Sequence, residues 1–295
     1  MFKQNKWVIA GVLFAFLWAS AATATKLGLA DAQPLVIAET RFMIAGILML
    51  CFSHLIKKHP LPKDKQWKHL IIYGLLNITI YLGCYVVAMQ YVTAGVAALT
   101  IATNPLFISF LSVFILKKKL TIEVVIAIIL GTAGVIVASW PLLLQASITI
   151  GGLLLLLFSM FSYSCAAIYF SSVKWGDINL ITINGWQTFS GGILLLPFTL
   201  LFYHADKNHF TSTFWMSVLW LAIPVSVFTV QLWLWLLKTN TVKAGLWLFL
   251  CPVFGFALAA WLTNDVISRY TIIGVILVIT GLYISQKMQR KLFED

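Results

Sequence analysis

Charge is what this sequence has least of. Its 20 basic and nine acidic residues make up 10% of a 295-residue chain, where soluble domains carry about 25%. With 61% hydrophobic residues and a mean hydropathy of +0.96, a water-soluble domain is excluded. Acid is scarcer still. Glu39 is the one carboxylate well inside a long apolar stretch, so the facing carboxylates of an embedded hydrolase cannot be assembled. The four cysteines, Cys51, Cys84, Cys165 and Cys251, lie in apolar stretches with no C-x-x-C pair. That excludes a disulfide scaffold and a thiolate metal site, and they read as small buried hydrophobes. The five histidines fall at the ends of stretches or between them, so no metal or other cofactor is expected. A G-x-x-x-x-G-K-[ST] loop is missing, which argues against direct ATP drive. The apolar runs also lack the two-residue alternation of barrel strands.

Long apolar stretches are what the chain does have. Windows of bilayer-crossing length fall at about 7–25, 35–56, 67–88, 95–116, 121–140, 149–170, 179–202, 213–236, 244–263 and 270–286. Backbone polar groups must be satisfied inside hydrocarbon, so each window reads as a helix: an all-α membrane protein with ten transmembrane helices. Lys3 and Lys6, followed by an apolar run ending in Ala19-Ser20-Ala21 and Ala22-Thr23-Ala24, imitate a cleaved signal peptide. The repeat described next needs this helix, so it is kept. The net charge of +11 would suggest nucleic acid in a soluble protein, but here its distribution decides. With the amino terminus inside, sixteen Lys and Arg fall on the inner side, three (Lys26, Lys207, Arg269) outside, and Arg41 within a span. The positive-inside rule then places both termini in the cytoplasm, and no nucleic-acid partner is expected.

The chain repeats itself. With Pro105 set on Pro252, an offset of 147, Phe107 falls on Phe254, Leu111 on Leu258, Ala127 on Gly274 and Gly134 on Gly281. Further upstream, with small gaps, Ala94-Gly95 meets Ala244-Gly245, Gly46 meets Gly192 and Ser20 meets Ser164. The chain therefore divides into two five-helix halves, 1–145 and 146–295. Five is odd, so the second half enters the membrane from the opposite side, and the charges obey this. Lys117, Lys118 and Lys119 follow the fourth helix, whereas Asn264, Asp265 and Arg269 follow its counterpart. Inverted repeats of this kind build many secondary transporters, with the substrate near the midplane between the halves.

Several phrases also resemble those of a known family. CYVVAMQYVTAGVAALTIATNPLF (84–107), LWASAATATKLGL (17–29), and Pro34 followed by Arg41-Phe42 and Ala45 are similar to the bacterial EamA-type permeases of the drug/metabolite transporter superfamily. The resemblance covers nearly the whole chain. It implies ten helices in two repeats and movement of small metabolites, amino acids among them, across the inner membrane. The chain departs from the pattern at Ala19, where glycine is usual, and at Lys118, where an acid is usual; Asp265 stands near the acid's place in the second half.

Polar residues three or four apart in an apolar helix mark the face turned from lipid. Such stripes carry Asn77, Tyr81 and Tyr85; Thr100, Thr103 and Asn104; Ser159, Ser162 and Tyr163; Asn184, Gln187 and Thr188; and Gln231 with Trp235. Helix–helix hydrogen bonding explains such stripes as well as a shared cavity does. Trp18 and Trp247 are the tryptophans expected at the path. Arg41 is expected to attract a substrate carboxylate, with a snorkelling anchor as the alternative, and Glu39 to carry a coupling proton. The matched prolines Pro105 and Pro252 are expected to bend their helices as gates. Helices five and ten, rich in small residues, read as scaffold. The expected function is a secondary transporter that exports amino acids or related compounds by alternating access. A channel or facilitator and a membrane-embedded enzyme are the alternatives. The expected partners are a small-molecule substrate and the lipid bilayer of the bacterial inner membrane, and both monomer and homodimer stay open.

Overall fold

The computed structural model describes residues 2–92, 97, 100–145, 149–263 and 268–294. The pairings of Ala94-Gly95 and the contrast made by Asn264 and Asp265 lie outside the described residues. All regular structure among those described is helical: α1 (Phe2–Gly28), α2 (Pro34–Ile56), α3 (Lys65–Ala88), α4 (Asn104–Phe114), α5 (Ile122–Gln145), α6 (Ile150–Ser172), α7 (Leu180–Leu201), α8 (Ser212–Thr239), α9 (241–263) and α10 (Arg269–Glu294). Five helices are long and apolar enough to cross a bilayer, namely Lys6–Gly28 of α1 and all of α2, α3, α6 and α8. Shorter apolar helices are Asn104–Phe114, Ile122–Val137, Thr241–Gly255 and Arg269–Ile284. α7 has the length, at 22 residues, but buries Thr182, Asn184, Gln187 and Thr188.

Local chemistry sets the helix starts. Pro34 opens α2 in the first turn, where its missing N–H costs nothing. Side-chain oxygens of Thr149, Asn179, Thr211 and Asn240 accept the first free N–H groups of α6, α7, α8 and α9 at 3.0–3.3 Å. Pro105 likewise stands in the first turn of α4, after a turn at Ala102 and Thr103. Pro252 follows a 3-10 turn, Trp247–Phe249, within α9. The expected mid-helix bend at Pro105 is thus a helix start, because the preceding turn has already left α geometry.

Small residues set the packing. α5 and α10 lie antiparallel: a Cβ on Gly134 would stand 2.6 Å from the Gly274 carbonyl, and one on Gly281 3.1 Å from that of Ala127. α2 and α7 do the same: a Cβ on Gly46 would stand 3.0 Å from Phe189, and one on Gly192 would collide with the Met43 side chain. In both crossings the repeat offset exchanges one contact for the other. α1 lies against α8 and α9, and α6 against α3 and α4. Outward faces stay apolar, as Ile129, Ile136, Ile272 and Ile276 show.

Three stretches widen into π-helix: Cys51–Ile56, Leu75–Leu82 within α3, and Leu221–Thr229 within α8. The last two end 147 residues apart, at Leu82 and Thr229. A π turn shifts the backbone ladder by one residue and is common at functional sites. Side chains serve its carbonyls: Ser162 donates to Leu76 O at 2.8 Å, Thr229 to Pro224 O at 2.8 Å, and Asn184 to Ser226 O at 2.9 Å.

Replacing Gly134 by alanine should lower the thermal midpoint in detergent, since the neighbour in contact is backbone and overpacking costs about 1–3 kcal/mol. Gly151→Ala, whose Cβ meets nothing within 4 Å, should leave the midpoint unchanged or raise it. Equal midpoints for the two variants would contradict the α5–α10 contact.

Candidate functional site

α2 carries both costly side chains, and they diverge. Two residues apart on a helix, Glu39 and Arg41 point about 200° from each other. Arg41 is 3% exposed; its Nε donates to Ser226 Oγ on α8 at 2.8 Å, and the guanidinium lies over the Phe42 ring at 5.3 Å. Tyr81 and Tyr85 of α3 are close enough to interact with it electrostatically. Arg41 is therefore buried inside the protein, and among the described residues no carboxylate pairs with it. Glu39 faces α7. It is buried, neither carboxylate oxygen has a hydrogen-bond partner among the described residues, and Oε1 lies 3.7 Å from where a Gly192 Cβ would stand. Thr199 stands close by, but its hydroxyl donates to Leu195 O at 3.3 Å.

A chain of hydrogen bonds runs from Arg41 through four helices. Asn184 Nδ2 donates to the Ser226 carbonyl at 2.9 Å. Gln187 Nε2 donates to Asn184 Oδ1 at 3.0 Å and to Thr188 Oγ1 at 3.2 Å. Asn77 Nδ2 donates to Gln187 Oε1 at 3.1 Å. Both ends of the chain, Asn77 and Ser226, lie in the matching π segments. Asn77 and Gln187, expected at the substrate, are engaged with each other and join α3 to α7. Asn104 is apart from this group: its amide contacts Met160 Sδ at 3.3 Å and accepts from Ser164 Oγ at 3.1 Å, pinning α4 to α6.

Beside the network is a layer of rings. Tyr163 lies 4.7 Å from Tyr81, 5.7 Å from Trp18 and, stacked, 5.5 Å from Trp233 (centroid distances). Phe14 stacks on Trp233 at 4.9 Å and lies 5.6 Å from Trp18, and Tyr85 is 6.1 Å from Tyr81. Trp247 presses on the Gly11 backbone, which leaves no room for a Cβ. The Tyr163 hydroxyl, Trp247 Nε1 and Gln231 Oε1 are buried polar atoms without partners among the described residues. Sequence reasoning did not single out Ser226, Phe14 or Trp233. Tyr73, one turn before Asn77 on the same stripe, was legible by spacing and overlooked; its hydroxyl is also buried and unpartnered.

The two ends of the bundle differ. At one, the α1–α2 and α7–α8 connections are latched. Gln33 receives from His204 N at 2.7 Å and Asn208 Nδ2 at 2.9 Å and donates to Asn208 Oδ1 and Phe202 O at 2.8 Å; Asp31 accepts from His209 N at 2.7 Å and from Thr211. Lys26 donates there to the carbonyls of Met89 and Val92, closing the end of α3. At the other, basic end a cavity of about 320 Å³ lies among Lys118, Trp175, Lys238 and Thr241. No group of three or more His, Cys, Asp or Glu able to hold a metal occurs among the described residues.

The sequence profile of the EamA-like transporter family matches residues 5–140 and again 150–286. The chain is 24% identical over 272 residues to the uncharacterized transporter YoaV of Bacillus subtilis (strain 168), covering 91% of this chain and 92% of that one. An uncharacterized transporter of Archaeoglobus fulgidus is 28% identical over 287 residues, covering 95% and 98%. The uncharacterized inner membrane transporter YedA of Escherichia coli (strain K12) is 38% identical over 130 residues, 43% of this chain and 42% of that one. A solved crystal structure shares the fold with a TM-score of 0.78 at 18% identity, covering 98% and 99% of the two chains.

Gln187→Leu should strand the Asn77 amide, whereas Asn184 keeps Ser226 and Thr188. Such bonds within membranes average about 0.6 kcal/mol and reach about 1.7, so the melting midpoint should fall measurably. The additional change Asn77→Leu should cost little further, because the two losses share one bond. Additive losses in that cycle would contradict the bridge.

Proposed function

The chain belongs to the EamA-like transporter family, multi-pass permeases and not enzymes, and on that premise we propose that it moves small carboxylate-bearing metabolites, amino acids or related compounds, out of the cell by alternating access. The observation that carries this is Arg41: a buried guanidinium on α2, held by Ser226 of α8 and bordered by Tyr81 and Tyr85. An ionised side chain deep in the membrane costs about 2.5–3.5 kcal/mol or more, and a carboxylate brought by the substrate offsets that cost. Rings around it offer faces for the rest of the molecule.

In this reading all ten helices span the inner membrane as two inverted five-helix repeats, 1–145 and 146–295, with both termini cytoplasmic. Support comes from the antiparallel crossings α2–α7 and α5–α10, where equivalent helices exchange equivalent contacts under the repeat offset, the signature of an isologous two-fold interface. The ring layer fills the space beside Arg41, which favours a carrier over an open channel.

Reconstituted full-length protein should take up one class from a panel of labelled amino acids and nucleosides with saturation. Arg41→Gln should lower kcat/KM for carboxylate substrates by about a hundredfold, the scale of a lost charge-assisted pair, with its melting transition retained. Arg41→Gln uptake equal to wild type would remove the carboxylate reading. Glu39 is proposed as the proton carrier: an imposed proton gradient should drive accumulation in wild type, and Glu39→Gln should equilibrate substrate without responding to the gradient. A gradient response that survives in Glu39→Gln would leave Glu39 structural.

A further inference from the structure

The cavity at the basic end has walls of a definite kind. Lys118 comes from the α4–α5 connection, Phe170 and Ser171 from the end of α6, Trp175 from the α6–α7 connection, and Lys238 and Thr241 from the junction of α8 and α9. Two cations and three hydroxyls, those of Ser171, Thr239 and Thr241, thus line a space of about 320 Å³, and among the described residues no carboxylate lines it. Asp177 belongs to the same connection but is not part of the wall. Opposing cations with no anion between them focus an attractive field for negative groups.

Three helices lead from this cavity to the ring layer. On α6, Phe170 lines the cavity and Tyr163, two turns deeper, belongs to the layer. On α8, Leu237 lines it and Trp233 is one turn deeper. On α3, Tyr73 packs beside Phe170 at 5.6 Å and Trp175 at 6.2 Å, and its stripe continues through Asn77 to Tyr81, the neighbour of Arg41. Seven residues of helix are about 10 Å, so one layer of side chains separates the cavity from the rings. The far end of the same bundle is the latched one.

We propose that this cavity is the mouth of the path at the basic end, selective for anionic small molecules bearing a carboxylate, which Lys118 and Lys238 draw in before they meet the ring layer. The inference rests on the transport reading of Arg41 and adds the side and the charge preference of the entrance. A phospholipid phosphate carries the same charge, and the test separates the two.

The test needs no known substrate. Thr239, on the cavity wall, is changed to cysteine in the full-length protein held in neutral phosphatidylcholine nanodiscs, with wild-type reaction subtracted to remove the native cysteines. Rates are taken with anionic sulfonatoethyl and cationic trimethylammonioethyl methanethiosulfonate, each relative to free cysteine. The anionic reagent should be favoured by at least about fivefold, and Lys118→Gln with Lys238→Gln should bring the ratio near that of free cysteine. An unbiased ratio, or one unchanged by the two substitutions, would overturn the proposal. So would protection from labelling once anionic phosphatidylglycerol is added to the nanodiscs, which would assign the cavity to a lipid headgroup. In proteoliposomes the double lysine variant should raise KM for carboxylate substrates with kcat unchanged. Absence of uptake by every variant, with the labelling bias intact, would strike the transport reading and spare the electrostatic assignment.

Discussion

In hydrocarbon an apolar side chain gains nothing by leaving lipid for a neighbouring helix, so close backbone approach and hydrogen bonds must hold the bundle together. The rest of the structure follows from that constraint. Glycines sit where helices cross: Gly134 against Gly274, Gly46 against Phe189, Gly191 and Gly74 against each other's backbones. Where glycine does not suffice, amides and hydroxyls bridge, as Asn77, Gln187 and Asn184 do between α3, α7 and α8. The polarity of α7 is therefore structural first. Its buried Thr182, Asn184, Gln187 and Thr188 find partners on α2, on α8 and α3, and within α7 itself.

The same constraint accounts for the placement of the π segments. A widened turn frees carbonyls that lipid cannot satisfy, so such turns must face polar side chains, and both interior examples do. Once partnered, they give α3 and α8 a ladder with two registers separated by one residue, and the polar network that reaches Arg41 is anchored on both. Any shift of register in Leu221–Thr229 moves Ser226, and with it the guanidinium's one hydrogen bond. Backbone register and the position of the Arg41 guanidinium are thereby coupled through a single contact.

Much of this was legible in the sequence, and the limits have physical causes. Helical periodicity located the stripes of Asn77, Tyr81 and Tyr85 because spacing is a property of the helix alone. It could not tell a lining residue from a bridging one, since both turn away from lipid; Asn77 and Gln187 proved to bridge. Nothing in the spacing singles out Trp233, which stacks on Tyr163, because indole placement depends on which helix lies opposite. The π segments left no trace in composition. The scaffold reading of helices five and ten could be made from Gly134 and Gly274 because small residues in a membrane helix have few other uses. Pro105 misled in detail: a proline in an apolar window marks a bend or a start, and only the preceding turn at Ala102 and Thr103 decides.

Arg41 is thus closed off on two sides by barriers of different chemistry. Toward the basic end stands a layer of rings held by stacking, with the Tyr163 hydroxyl unpartnered inside it. Toward the other end stand the latched connections, with Gln33 and Asp31 holding the α7–α8 loop. Exposed hydrogen bonds compete with water and contribute about 0.5–1.5 kcal/mol each at most, so six of them amount to several kcal/mol. In the proposed alternating-access cycle, reversing a two-state equilibrium from 1:99 to 99:1 would take about 5.5 kcal/mol of differential binding, of which a charge-assisted bond from substrate to Arg41 would supply about 1.5–3 kcal/mol. A latch far stronger would lock the bundle in one state, and one far weaker would let both ends open at once. On the proposed transport reading, the modest polarity of Gln33, Asn208 and Thr211 fits a barrier that yields when a substrate carboxylate neutralises Arg41.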